Sequence, residues 1–220
     1  MPNRVIAVDG PAASGKSTVA RKLAAQLQYR YVDSGALYRG LAWKTLALGR
    51  NTASPEEVLD TLGTMKVEFF EADGAVRYRI DGYEPRAEIR SESVSSAVSS
   101  VAAMPGVRTA VTQWLRDMVR FGNLVMEGRD IGTVVFPAAD RKFYLDASPE
   151  ERARRRHAEL TPTGDAADVN RVMSSLQSRD RKDSGRATAP LCIAVDAQVI
   201  DTTGLTIDQV VAEIAKRSRG

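Results

Sequence analysis

Gly10-Pro11-Ala12-Ala13-Ser14-Gly15-Lys16-Ser17 is an uninterrupted G-x-x-x-x-G-K-S run. The apolar stretch Arg4–Val8 precedes it, and it opens a segment, Lys16–Gln28, in which Val19, Leu23 and Leu27 recur at helical spacing. A strand, a glycine-bounded turn and a helix in this order constrain the fold more than any other feature of the chain. The glycines let the backbone curl so that successive N–H groups converge, and the helix N-terminus adds the positive end of its dipole. Such a loop cradles phosphate. It implies ATP or GTP contacted by Gly10, Pro11, Ala12, Ala13, Ser14, Gly15, Lys16, Ser17 and Thr18, with Lys16 on the β and γ phosphates and the Ser17 hydroxyl on Mg²⁺. ATPases, GTPases and kinases share the loop, so the chemistry must be read elsewhere.

The rest of the chain continues the alternation. Tyr31-Val32 reads as a second strand, and Asp33-Ser34-Gly35 starts a helix toward Leu48. Strand and helix in succession predict right-handed crossovers and a parallel sheet, an α/β fold. Lys66–Phe70 and Val76–Ile80 break this pattern: they are β-rich runs around Asp73-Gly74, a hairpin signal. A hairpin does not fit a βα alternation, so 63–96 reads as a small inserted subdomain, with 66–80 outside the main sheet. Ser91–Ala103 is helical, and Pro105 opens a helix to about Arg120. Leu124–Met126 and Lys142–Leu145 are further strands. Ser148-Pro149 caps a helix, Thr161–Asp168 is a loop, and a second helix runs to about Lys182. Val199-Ile200 is a last strand and Thr206–Lys216 a closing helix.

Bulk properties narrow the classes. A chain of 220 residues with 43% hydrophobic and 27% charged residues fits one soluble core domain. No run of about 18 apolar residues is present, so no membrane span is expected. Val5–Val8 is too short for a signal-peptide core, and the single cysteine, Cys192, excludes an internal disulfide; a reducing cytoplasm is expected. The net charge of +3 comes with arginine clusters at Arg152, Arg154, Arg155 and Arg156 and at Arg179, Arg181 and Arg186, with Glu150, Glu151, Asp180 and Asp183 among them. Mixed signs and 6% aromatic residues favour a small phosphate ligand over a nucleic-acid surface, which would carry one sign with stacking platforms.

Acceptor-side candidates lie at strand ends, where parallel sheets bind ligands. After the second strand, Arg39 can grip a phosphate bidentately, and Ser34 and Tyr38 add hydroxyls. After the third come Glu127-Gly128-Arg129-Asp130: a glycine suited to close approach by a ligand, a second phosphate-binding arginine, and a carboxylate able to accept from an exocyclic amine. Arg108 can complete a polar base pocket. Arginines flanking Thr161–Asp168 read as a lid over region 150–186, placed to stabilise charge on a transferring phosphoryl group. An acceptor that is itself a phosphate needs no general base.

At these residues the chain resembles the bacterial cytidylate kinases over essentially its whole length. The resemblance rests on Gly10–Thr18, on Asp33-Ser34-Gly35-Ala36-Leu37-Tyr38-Arg39, on Gly128-Arg129-Asp130-Ile131-Gly132-Thr133-Val134-Val135-Phe136-Pro137, on Leu145-Asp146-Ala147-Ser148 with Glu151-Arg152-Ala153, and on Arg179-Asp180 through Asp183, Arg186 and Ala189-Pro190-Leu191. It implies a P-loop kinase core, a parallel β-sheet flanked by helices with an inserted NMP-binding subdomain and a helical lid, and transfer from ATP to CMP or dCMP. It implies that Ser34, Ser99, Arg108 and Asp130 read cytosine and that Arg39 and Arg129 hold the acceptor phosphate. Tyr38, Arg179, Asp183 and Arg186 would meet the ribose and the lid side, and Arg152 and Arg156 would be lid arginines near the transferring phosphate beside Lys16. Two positions depart from some relatives. Glu127 stands where some carry Asp, and Ser17 follows Lys16 where some carry Gly, which offers a hydroxyl to Mg²⁺. A monomer acting on free nucleotides is expected. The competing readings are a P-loop kinase for another small metabolite, such as shikimate, gluconate or dephospho-coenzyme A, and a nucleic-acid-stimulated ATPase. The chain carries no Asn-Lys-x-Asp segment of a regulatory GTPase.

Overall fold

The structure, a computed structural model, describes residues 3–160 and 169–218. Five parallel strands form the centre: β1 (Val5–Asp9), β2 (Arg30–Asp33), β5 (Leu124–Gly128), β6 (Arg141–Asp146) and β7 (Gln198–Asp201). The full sheet has seven strands in the order β3-β4-β2-β5-β1-β6-β7, with β3 (Val67–Ala72) and β4 (Ala75–Ile80) at one end. Every residue of β1 and β5 is buried, as expected of strands covered by helices on both faces. Register sets the function of the edge: Asp9 pairs with Gly128 and Asp33 with Glu127, so the strands carrying the phosphate loop and both acceptor segments end side by side.

The helices are α1 (Lys16–Leu27), α2 (Ser34–Ala47), α3 (Pro55–Thr64), α4 (Glu92–Val101), α5 (Pro105–Asp117), α6 (Pro149–Leu160), α7 (Val169–Ser184) and α8 (Ile207–Ser218). One core, including Val32, Leu41, Val107, Leu115 and Met126, lies under α2, α4 and α5; the other, including Val8, Leu23, Phe143 and Ile214, lies under α1 and α8. The Asp33 side chain caps α2 by accepting from Ala36 N–H, and Ser148 accepts from Glu151 N–H at the start of α6. The sequence reading passed over α3, although Ser54 as its cap, Pro55 in its first turn and Glu57 three residues on spell out a helix start.

The hairpin forms around Asp73 and Gly74, both left-handed at φ 52° and 71°. The expectation that 66–80 stands outside the main sheet is corrected. β4 joins the edge of β2 through one register pair, Tyr31 with Ala75, and Tyr31 N–H donates to Gly74 O at 2.9 Å. An open strand edge needs partners for its N–H groups, and the hairpin turn supplies one before the strands diverge. Tyr78 ties the hairpin to α2 by donating to Ala36 O at 2.7 Å. The Thr161–Asp168 loop lies outside the described residues.

Candidate active site

A cleft of about 560 Å³ opens at the carboxyl edge of β1, β2 and β5. Its floor is the phosphate loop. Ala13 at φ 59° and Gly15 at φ 89° alternate with ordinary backbone, which turns consecutive amides to one side. Gly15 caps α1 without a side-chain acceptor, so the first amides of the helix stay available to an anion. Lys16 is buried, and its Nζ donates to Pro11 O at 2.5 Å and Ser14 Oγ at 3.3 Å. Burial and the nearby Arg129 push its ammonium down from the usual lysine range, so it carries its charge at an energetic cost that phosphate relieves.

Ion pairs line the cleft. Arg39 donates to Asp33 at 2.7 Å, Arg129 donates to Asp183 at 3.0 Å, and Arg108 on α5 pairs with Asp130 in the loop after β5. Arg186 binds the other oxygen of Asp183. Arg108 also donates to Ala102 O at 3.1 Å, and its guanidinium lies 5.4 Å from the Tyr38 ring centre. Burial pushes the Tyr38 hydroxyl up to about 12 and raises Asp130, against the opposing pull of Arg108. Arg179 is lowered to about 10, by burial first and then by Arg129. The buried Nε atoms of Arg39, Arg108, Arg179 and Arg186 have no hydrogen-bond partner among the described residues. Four guanidinium groups lining one cleft form a receptor for anionic oxygens.

The donor set also fits a magnesium ion. The Ser17 hydroxyl stands near Glu127, to which Tyr31 donates at 2.5 Å. Burial and then the nearby Asp33 raise the Glu127 carboxyl above its usual range. No group of three metal-binding side chains occurs among the described residues. Mg²⁺ takes one or two protein ligands and otherwise phosphate and water.

The cleft brings together nearly all the predicted residues. Ala12, Ala13, Gly15, Lys16, Ser17, Thr18, Ser34, Tyr38, Arg39, Ser99, Arg108, Arg129, Asp130, Arg156, Arg179, Asp183 and Arg186 all line it. Ser34 donates to Glu127 O at 2.6 Å, which clamps β2 to β5. Gly128 lines the cleft and also meets a packing need: a Cβ there would sit 2.6 Å from Ser34 Oγ and 2.7 Å from the Ile131 side chain. Arg152, expected beside the transferring phosphate, does not line the cleft. It is buried, and its guanidinium is committed to Ala147 O, Ala12 O and Asp180, because a buried arginine must satisfy its donors locally.

Three carboxylates have site contacts to which the sequence assigns no role. Asp33 both caps α2 and orients Arg39; its place at a helix start three residues before Ala36 was a legible signal. Asp9 accepts from Ile131 N–H at 2.8 Å and Gly132 N–H at 2.7 Å, which locks the Arg129-Asp130 loop to the phosphate loop. No local pattern announces that contact across 122 residues. Asp180 binds the phosphate loop from α7.

The sequence model of the family described as cytidylate kinase matches residues 6–219. A cytidylate kinase of Symbiobacterium thermophilum is 46% identical over 98% of this chain and 96% of its own, and one of Geobacillus thermodenitrificans is 44% identical over 95% and 93%. An uncharacterized protein from Eubacterium ventriosum shares the fold alone, with a TM-score of 0.54 at 10% identity over 99% of each chain. With a family model matched over residues 6–219 and relatives 44–46% identical over almost the full length, the chain belongs to the cytidylate kinase family.

Proposed function

We propose that the chain transfers the γ-phosphoryl group of ATP to the phosphate of CMP or dCMP, giving ADP and CDP or dCDP. The bond from the γ phosphorus to the β–γ bridging oxygen breaks, and a bond to an acceptor phosphate oxygen forms. The observation that carries this reading is the buried Arg108–Asp130 pair, which stands in the same cleft as the phosphate loop. Asp130 commits one carboxylate oxygen to Arg108 and keeps the other for an amine donor, which cytosine offers at its exocyclic position. Ser99 and Ser34 lie close enough to line the same pocket.

Arg39 and Arg129 hold the acceptor phosphate, each aimed by a carboxylate, and leave its oxygen facing the donor. Such a phosphate is largely ionised near neutral pH, so no side chain need remove a proton. Tyr38, Arg179, Asp183 and Arg186 meet the sugar and close the cleft. Lys16 and Arg156 neutralise charge that develops on the moving phosphoryl group, in a site where burial makes each charge count. Ser17 and Glu127 would hold a magnesium ion, which would supply further neutralisation of phosphate charge. The 63–96 segment acts as the acceptor-side subdomain and 150–186 as the lid. The chain acts as a monomer on free nucleotides rather than on nucleic acid, in the cytoplasm. Its clustered arginines are mostly paired with carboxylates and form no one-sign surface, and its one cysteine is free.

ADP formation from ATP and Mg²⁺ against CMP, dCMP, UMP, AMP, GMP, shikimate and gluconate tests this. Turnover with CMP and dCMP, lost in Asp130→Ala, is expected. Preferred turnover of another acceptor would reject the acceptor assignment.

A further inference from the structure

The phosphate loop is held from outside as well as from below. Two lid-helix arginines grip its backbone carbonyls: Arg152 donates to Ala12 O at 3.2 Å, and Arg155 to Ser14 O at 3.3 Å. In a peptide unit the C=O and the next N–H point in opposite directions. Pulling Ala12 O and Ser14 O outward therefore turns the amides of Ala13 and Gly15 inward, toward the space where phosphate oxygens sit. Asp180 completes the brace. Its carboxylate accepts from Ala12 N–H at 3.2 Å with one oxygen and binds Arg152 with the other. The contact is apolar: Ala12 packs with Ala153 of α6 and with Val172 and Leu176 of α7.

We propose that Asp180 is a positioning residue for phosphoryl transfer, which sets the curvature of the phosphate loop from α7 through Ala12 and Arg152. Arg152 then acts through the loop rather than on the transferring group. The inference rests on the reading of ATP as donor.

The test measures binding of ATP alone and of CMP alone to the intact protein, with kcat and KM for each, in Asp180→Ala, Asp180→Asn, Arg152→Ala and the Arg152→Ala/Asp180→Ala double variant. Asp180→Ala is expected to weaken ATP about tenfold or more and to leave CMP within about twofold, since a half-buried charge-assisted contact is lost at the loop and none at the base pocket. Asp180→Asn keeps an acceptor for Ala12 N–H and falls between wild type and Asp180→Ala. The double variant is no worse than the poorer single variant, because the two side chains act as one unit. Unchanged ATP affinity in Asp180→Ala, or equal losses for ATP and CMP, overturns the proposal. If Asp180→Ala does not fold, the near-isosteric Asp180→Asn decides by the same ratio of ATP to CMP affinity. A wild-type protein that binds no ATP instead rejects the donor reading itself.

Discussion

Arg108 and Asp130, 22 residues apart in the chain, form an ion pair whose side chains are only 3% and 6% exposed. α5 supplies one partner and the loop after β5 the other, so the pair forms only when helix and sheet are packed. A charge this deep has no water to fall back on, and its worth depends on its partner.

Asp130→Ala strands the Arg108 charge. The variant should lose about 3–5 kcal/mol of stability, the usual cost of removing one member of a buried pair, and most of its turnover with CMP. Asp130→Asn keeps the shape and a carbonyl acceptor and should lose less stability. Urea denaturation of both variants, alongside CMP kinetics, checks the order. Equal stability of wild type and Asp130→Ala would contradict it.

Ser17→Ala removes the hydroxyl that meets Glu127 at the head of α1. The Mg²⁺ concentration for half-maximal rate should rise about tenfold, roughly the 1.4 kcal/mol of one ligand interaction, while binding of CMP alone stays unchanged. Magnesium titrations of the two proteins measure this directly. Chelation of the metal should abolish turnover in both.

Gly10→Ala should unfold the phosphate loop or the protein. A Cβ at Gly10 would stand 2.1 Å from Leu145 O, a backbone atom, at φ +149°. Gly63, inside α3, faces open space, and Gly63→Ala should raise stability by about 0.5–1 kcal/mol through helix propensity. Thermal denaturation of the two variants should move in opposite directions.

Asp9 makes stability fall as pH rises. Burial lifts its carboxyl from 3.8 to about 6, so the folded protein holds this proton more tightly than the unfolded chain. The contribution is full below pH 3.8 and is lost as pH climbs through about 6, a span worth about 3 kcal/mol at 1.36 kcal/mol per unit. Asp9→Asn cannot titrate. The stability difference between wild type and variant should therefore shift against wild type from pH 4 to pH 7 in urea titrations, and a constant difference would refute the assignment.

Much of the site was readable locally. The loop from Gly10 to Ser17 carries its own turn residues, its own helix start and its own cation, so eight consecutive residues announce a phosphate site. The Asp73-Gly74 turn was readable for the same reason: the left-handed conformation is a property of two residues. The attachment of the hairpin to β2 was not readable, because a single pair between Tyr31 and Ala75 depends on which edge lies free after the sheet has assembled. The place of Arg152 was hidden likewise. In sequence it is one of four clustered arginines; in the fold, it is the one turned inward onto Ala12 and Asp180 while Arg156 faces the cleft.

By itself, then, the sequence determined the chemistry of the donor site, the alternation that builds a parallel sheet, and the residue types gathered for the acceptor, since each rests on neighbours a few positions apart. The tertiary structure alone decided which carboxylate aims which arginine: Asp33 for Arg39, Asp183 for Arg129, Asp130 for Arg108, Asp180 for Arg152. Pairing of buried charges is a contest among all the partners that packing brings within reach, and most of those partners are far apart in the chain.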